Sequence, residues 1–128
     1  MRRRLGDARV ARLATVRPDG RPHVVPCCLV LDGETAYTAV DGKPKSTLAL
    51  QRLANLAVHP QASLVVDHYE EDWSALWWVR VDGTARAVDE VAGRAALDLL
   101  AAKYPQYREV PPPGPVIAIE LTGWTAWP

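Results

Sequence analysis

Phenylalanine is absent from this chain, methionine occurs once and cysteine twice. The two cysteines, Cys27 and Cys28, are neighbours. On a strand they point to opposite faces, which excludes an unstrained disulfide between them. They read as buried thiols in a reducing compartment. No second Cys or His cluster has zinc spacing, so a metal site of that pattern is not expected. No apolar run approaches the ~18 residues of a membrane span. Arg2-Arg3-Arg4 leads into a mixed segment rather than the apolar stretch of a signal peptide, and reads as a solvated end. A cytoplasmic protein is expected. The formal net charge is zero, and no basic stripe covers a face, so neither a nucleic-acid nor a membrane partner is expected.

Lysine is scarce as well: Lys43, Lys45 and Lys103 stand against twelve arginines. Aromatic surface comes from five tryptophans and four tyrosines. Tryptophan brings large flat faces, useful in packing and in stacking on a planar ligand. With 128 residues, 48% of them apolar, the chain is read as one domain with room for a core.

Residues 10–16 read as a first strand, followed by the turn Arg17-Pro18-Asp19-Gly20, where proline presets one dihedral and glycine permits positive φ. The run His23 to Leu31 is apolar on both alternating faces and predicts one strand covered on both sides. Pro26 inside it removes a ladder donor and marks an edge or a bulge, a place where space for a ligand can open. Asp32-Gly33 is a hairpin signal, and residues 35–40 return as a third strand. A helix is predicted over 46–58, with Leu50, Leu53, Ala54 and Ala57 as its apolar stripe and His59-Pro60 as its stop. A fourth strand follows over 62–69 and a long one over 75–88, with a bend at Gly83. Asp89 caps a second helix striped by Ala92, Ala95, Ala96 and Leu99. The Pro111 to Pro115 segment is extended, and residues 116–121 form a sixth strand. Six strands in mostly hairpin order with two short helices predict a mainly β, α+β fold, a small antiparallel barrel.

The two lysines at 43 and 45 flank Pro44 just before the predicted helix. A helix start presents unpaired N–H groups and partial positive charge. A phosphate there gains backbone hydrogen bonds, and Lys43, Lys45, Ser46 and Thr47 would add side-chain ones. Local sequence alone leaves a second reading equally open, a solvated loop in which Ser46 serves only as a cap.

The chain resembles the pyridoxamine-phosphate-oxidase-like split β-barrels, and within them the branch of oxidoreductases that uses the deazaflavin coenzyme F420. The residues that carry the likeness are Ala11-Arg12-Leu13-Ala14-Thr15-Val16, Pro18-Asp19-Gly20-Arg21-Pro22-His23 and Tyr37-Thr38-Ala39-Val40-Asp41-Gly42-Lys43-Pro44-Lys45. To these are added Asp67-His68-Tyr69-Glu70-Glu71-Asp72-Trp73-Ser74 and Leu76-Trp77-Trp78-Val79-Arg80-Val81-Asp82-Gly83. The resemblance implies a six-stranded split barrel of the FMN-binding type and a homodimer with the cofactor at its interface. It implies the cofactor phosphate on Lys43 and Lys45, helped by Ser46 and Thr47. It implies the tricyclic ring along Val25, Pro26, Cys27, Tyr37, Thr38 and Ala39, with Trp73, Trp77 or Trp78 reaching the groove across the interface. Strand two offers no cation between His23 and Leu31, which favours the deazaflavin over FMN. The helix that precedes strand one in this family is nearly missing.

No acid–base or nucleophilic constellation stands out, and none is required. A deazaflavin carries hydride chemistry in its own ring. His23, His59 and His68 have no partner visible in the sequence. The expected activity is hydride transfer between coenzyme F420 and a small organic acceptor. The alternatives are an FMN-dependent enzyme of the same barrel and a flavin- or haem-binding module without turnover.

Overall fold

The computed structural model describes residues 1–40, 47–112 and 114–128. The chain forms α1 (Arg2–Asp7), β1 (Ala11–Val16), β2 (Pro22–Cys27), β3 (Val30–Asp32) and β4 (Thr35–Ala39). It continues through α2 (Thr47–Val58), β5 (Gln61–His68), β6 (Trp77–Ala87), α3 (Glu90–Lys103), α4 (Pro105–Glu109) and β7 (Val116–Trp127). All strand pairs are antiparallel, and the sheet order is β2-β1-β5-β6-β7-β4-β3. The two edge strands, β2 and β3, are consecutive in the chain and separated only by Cys28 and Leu29. The sheet therefore curls until its own edges meet at a seam: a mainly β, split-barrel-like fold.

Local chemistry sets the hairpins. Between β1 and β2, Gly20 N–H donates to the Arg17 carbonyl at 2.8 Å and Gly20 has φ +91°. Asp19 accepts from the Arg21 backbone at 3.1 Å and from its Nε at 2.8 Å. Asp32 pairs with Thr35 across a two-residue loop in which Gly33 takes φ +61°. Inside the curl, Leu13, Leu64, Val66, Val79, Val81, Ile117 and Ile119 form the main core. A smaller one, of Ala39, Ala96, Leu100, Tyr104, Tyr107 and Val116, lies beneath α3 and α4.

Four expectations need correction. The sheet has seven strands, not six, because the run from His23 to Leu31 breaks at Cys28-Leu29. Leu29 spends its backbone groups on α3: its N–H donates to Tyr104 Oη at 3.1 Å, and its carbonyl accepts from Lys103 Nζ at 2.8 Å. There are four α-helices among the described residues rather than two. The first turns the arginine-rich start into structure. Leu5 is fully buried, Arg2 donates to the Gly33 carbonyl at 2.6 Å and pairs with Glu34, and Arg4 stacks over Trp77. Both long helices keep only part of their predicted stripes, Leu53 packing on the core and Ala96 being buried. In α2, Ala54 and Ala57 are exposed while Asn55 and Leu56 are buried, with Arg52 and His59 partly so. In α3 the buried residues are Gly93, Ala96 and Leu100, while Ala92, Ala95 and Leu99 face outward. Asp89 caps α3 as expected, accepting from Ala92 N–H at 2.9 Å.

The seam is closed by side chains of α3. Lys103 Nζ donates to the carbonyls of Ala8 at 2.6 Å and Leu29 at 2.8 Å. Tyr104 Oη accepts from Leu29 N–H and directs its proton at the carbonyls of Arg9 (3.0 Å) and Leu29 (3.1 Å). On the far side, β6 and β7 slip register between Asp82 and Gly83. A Cβ at Gly83 would collide with the Glu120 backbone carbonyl, so only glycine fits the bulge.

Three outcomes follow for stability. Gly83→Ala is expected to cost about 1–3 kcal/mol through overpacking against backbone, read as a lower urea midpoint at unchanged slope. Tyr104→Phe leaves the buried Leu29 N–H unpaired and is expected to cost about 1–3 kcal/mol by the same measurement. The Lys103 ammonium is held down from 10.5 to about 8, by burial first and by Arg9 second. The folded state thus releases this proton before the unfolded chain does, and its contribution to stability rises with pH between those two values. Relative to Lys103→Met, the wild type should therefore gain stability as pH climbs through about 8; a flat difference would refute the assignment.

Candidate functional site

At the seam, the end of β2 and the end of β4 approach α2 and α4 around a cavity of about 170 Å³. Pro26, Cys27 and Cys28 form one wall; Ala39, Val10 and Tyr107 form another; Arg52 reaches in from α2. Pro26 lies on an edge strand, the position proline tolerates because no ladder donor is lost there. Cys28 and Tyr107 also line an adjoining hollow of about 490 Å³ with Arg9, Tyr104, Pro105 and Gln106. Cys27 is buried, Cys28 is half-buried, and neither is in a disulfide.

Polarity at this place is concentrated on α2. Asn55 is fully buried; its Nδ2 donates to Thr15 Oγ1 at 3.0 Å, and its Oδ1 accepts from Gln51 Nε2 at 2.7 Å. His23 stands opposite Thr15 in the β1–β2 register. Its pKa is lowered, by burial first and then by the positive charges of Arg17 and Arg52, so the imidazole is neutral at physiological pH. Among the described residues, three buried side-chain atoms lack a hydrogen-bond partner: His23 Nδ1, Thr38 Oγ1 and Arg52 Nε. Arg52 makes no ion pair with any described residue.

The residues predicted from sequence fall into distinct places. Lys43, Lys45 and Ser46 lie outside the described residues, and Thr47 opens α2. Pro26, Cys27 and Ala39 meet at the cavity. Val25 belongs to the main core, and Thr38, on the face of β4 opposite Ala39, is fully buried. Tyr37 packs beneath α3 with Ala39. None of Trp73, Trp77 and Trp78 lines this cavity. Trp73 sits in a short 3₁₀ turn, 75% exposed. Trp77 stacks on His68 with centroids 6.4 Å apart. Trp78 faces Trp127 across the β6–β7 ladder. His68 is not partnerless: besides Trp77, it contacts the Glu70 carboxylate.

Arg52 is the site residue that the apolar pattern hid. The signal lay in the polar spacing instead. Arg52, Asn55, Leu56 and His59 stand at i, i+3, i+4 and i+7, one face of a helix, and this is the face that α2 turns inward.

Comparison with known proteins accords with the architecture. A conserved hypothetical protein of Mycobacterium tuberculosis superposes with a TM-score of 0.78 at 20% identity, covering 98% of this chain and 80% of that one. An FAD-binding protein of Mesorhizobium loti gives 0.75 at 19% identity, covering 98% and 89%. A heme-binding protein of Mycobacterium smegmatis gives 0.77 at 19% identity, covering 97% of this chain and 50% of that one. At these identities the likeness shows the fold. No curated protein sequence matches the chain significantly. The family described as pyridoxamine 5'-phosphate oxidase matches over residues 1–128. The chain, curled into a split sheet with a cation-bearing cavity at its seam, belongs to the pyridoxamine 5'-phosphate oxidase family.

Proposed function

We propose that this protein is an oxidoreductase that holds a phosphorylated tricyclic redox cofactor at the seam, and that the cofactor is the deazaflavin F420. The observation that carries the reading is the cavity where Pro26, Cys27 and Ala39 meet the unpartnered Nε of Arg52. Its apolar walls suit the flat body of such a ring, and its guanidinium suits the polar edge. When bound, the cofactor supplies hydride chemistry from its own ring. The protein's part is to orient the ring, exclude water and leave one face to a small organic acceptor. Cys27, Ala39 and Tyr107 are buried residues that can shield the ring.

The preference for the deazaflavin rests on sequence: β2 and β3 carry no lysine or arginine, where the FMN oxidases that the chain resembles carry basic residues on strand two. FMN is the second reading, favoured by the structural likeness to an FAD-binding protein. A module that holds haem or flavin without turnover has its own support in the heme-binding neighbour. The working unit in this reading is a homodimer. A cavity of about 170 Å³ is small beside the ~300–1,000 Å³ of ordinary ligand pockets. A second copy would enlarge it, and the exposed Trp73 is available for that interface.

Lys43 and Lys45 are the proposed phosphate ligands, ahead of α2. Each charge-assisted contact contributes about 1.5–3 kcal/mol. The double change Lys43→Ala with Lys45→Ala should therefore weaken F420 binding by roughly a hundredfold or more. Equilibrium binding followed by cofactor fluorescence, with FMN titrated into the same preparation, checks both points. Unchanged affinity in the double variant would remove the phosphate assignment. Tighter binding of FMN than of F420 would replace the cofactor. Binding without oxidation of reduced F420 by a panel of carbonyl and conjugated acceptors would favour the module without turnover.

A further inference from the structure

We propose that the cleft between α3 and the proline segment is a second binding site, and that it takes an amphiphilic amine: a small molecule with an apolar body and one ammonium group. The cleft holds about 750 Å³, within the ~300–1,000 Å³ of ordinary ligand pockets. It is distinct from the seam cavity, since Tyr107 alone lines both. The inference therefore stands whether or not the seam holds a redox cofactor.

The path of the chain makes the cleft. After α3 ends at Lys103, α4 turns the chain back, and it returns until the Val116 carbonyl accepts from the Val88 N–H at 3.0 Å. Gly93, Leu97 and Ala101, at i, i+4 and i+8 of α3, line one side with apolar surface. Pro111, Pro112 and Pro115 line the other. An apolar body laid between them leaves water on both faces.

Three observations choose the charge of the head group. Proline has no N–H, so the proline side offers backbone acceptors and no donors. At the start of α3 the donors are already taken: Ala92 N–H by the Asp89 carboxylate at 2.9 Å, and Gly93 N–H by the Asp89 carbonyl at 2.8 Å. These elements therefore hold no free backbone donor for an anion, whereas an ammonium group brings three donors and needs only acceptors. The charges at the rim point the same way. Glu90 and Asp98 flank Arg94 on one exposed ridge of α3, and none of the three makes an ion pair with a described residue. Counting Asp89 and Arg108, the lining carries more carboxylates than guanidiniums. Finally, Tyr107 places an aromatic ring in the wall, and such a ring attracts a cation and not an anion.

The test titrates the full chain, without added cofactor, with butylamine, hexylamine and octylamine, and with octanol and octanoate as matched controls. Calorimetry reads affinity, and NMR of the Leu97 and Ala101 methyl groups reads place. Octylamine is expected to shift both methyls, and amine affinity to climb about fourfold per added methylene. Octylamine should bind more tightly than octanol, and octanol more tightly than octanoate. Glu90→Gln combined with Asp98→Asn, both at exposed positions, should weaken octylamine about threefold to tenfold and leave octanol unchanged. Leu97→Trp, which fills the cleft, should abolish binding of both. A thermal melt confirms that each variant is folded; should Leu97→Trp not fold, the charge variant and the methyl shifts decide alone. Octanoate binding as tightly as octylamine, or octylamine affinity unchanged in the charge variant, would overturn the choice of an amine. Absence of binding, or binding that leaves the Leu97 and Ala101 methyls unmoved, would overturn the site.

Discussion

The structure depends on how one residue, Leu29, disposes of its backbone. Leu29 stands between the two edge strands of the sheet and is fully buried. Its N–H and C=O have no strand to pair with, and a buried peptide group left without partners is costly. Tyr104 and Lys103, adjacent at the end of α3, take both groups. The same two side chains also hold the carbonyls of Ala8 and Arg9, just before β1. One helix end therefore ties the seam to the start of the sheet. With this clasp, the sheet stays split at one place, and the cavity sits there.

The clasp also explains why α3 keeps only part of its predicted stripe. To bring Lys103 and Tyr104 to Leu29, the helix must turn Gly93, Ala96 and Leu100 inward. Gly93 offers no apolar side chain to a periodicity argument, yet it is buried, and even an added Cβ would meet Val88 and Val116 only at ordinary contact distance. The alanines that made the predicted stripe are equally at ease in water. In α2 the same error has a different cause. The inward face mixes buried Asn55 and half-buried Gln51 and Arg52 with Leu53 and Leu56, and a hydrophobic count passes over its polar part. Both cases show tertiary hydrogen bonds overriding apolar periodicity.

What was legible follows from the same reasoning. Features decided by a few neighbouring residues came through: the Gly20 and Gly33 turns, the Pro60 stop, the Asp89 cap and the Gly83 bulge. Features decided by distant partners did not. The break at Cys28-Leu29 needs Tyr104, seventy-five positions away. The α1 helix, six residues long, exists because Leu5 finds the core and Arg2 finds the β3–β4 turn. In the candidate site, Pro26 announced itself by its missing donor, and Cys27 and Ala39 came from the resemblance. Arg52 was one arginine among twelve, marked only by its helical spacing with Asn55 and His59, which an apolar count passes over.

Among the described residues, three buried polar atoms lack partners, on His23, Thr38 and Arg52. Arg52 lines the cavity and His23 lies within its field, while Thr38 points to the opposite face of β4 from the cavity residue Ala39. A leucine in place of Arg52 would suit the apolar walls better and would leave no cation to satisfy. In the proposed reading, an acceptor that enters with a ligand pairs this donor and stabilises the folded chain. In the proposed reading the Arg52 guanidinium belongs to binding, at a seam that Leu29 and α3 tie together.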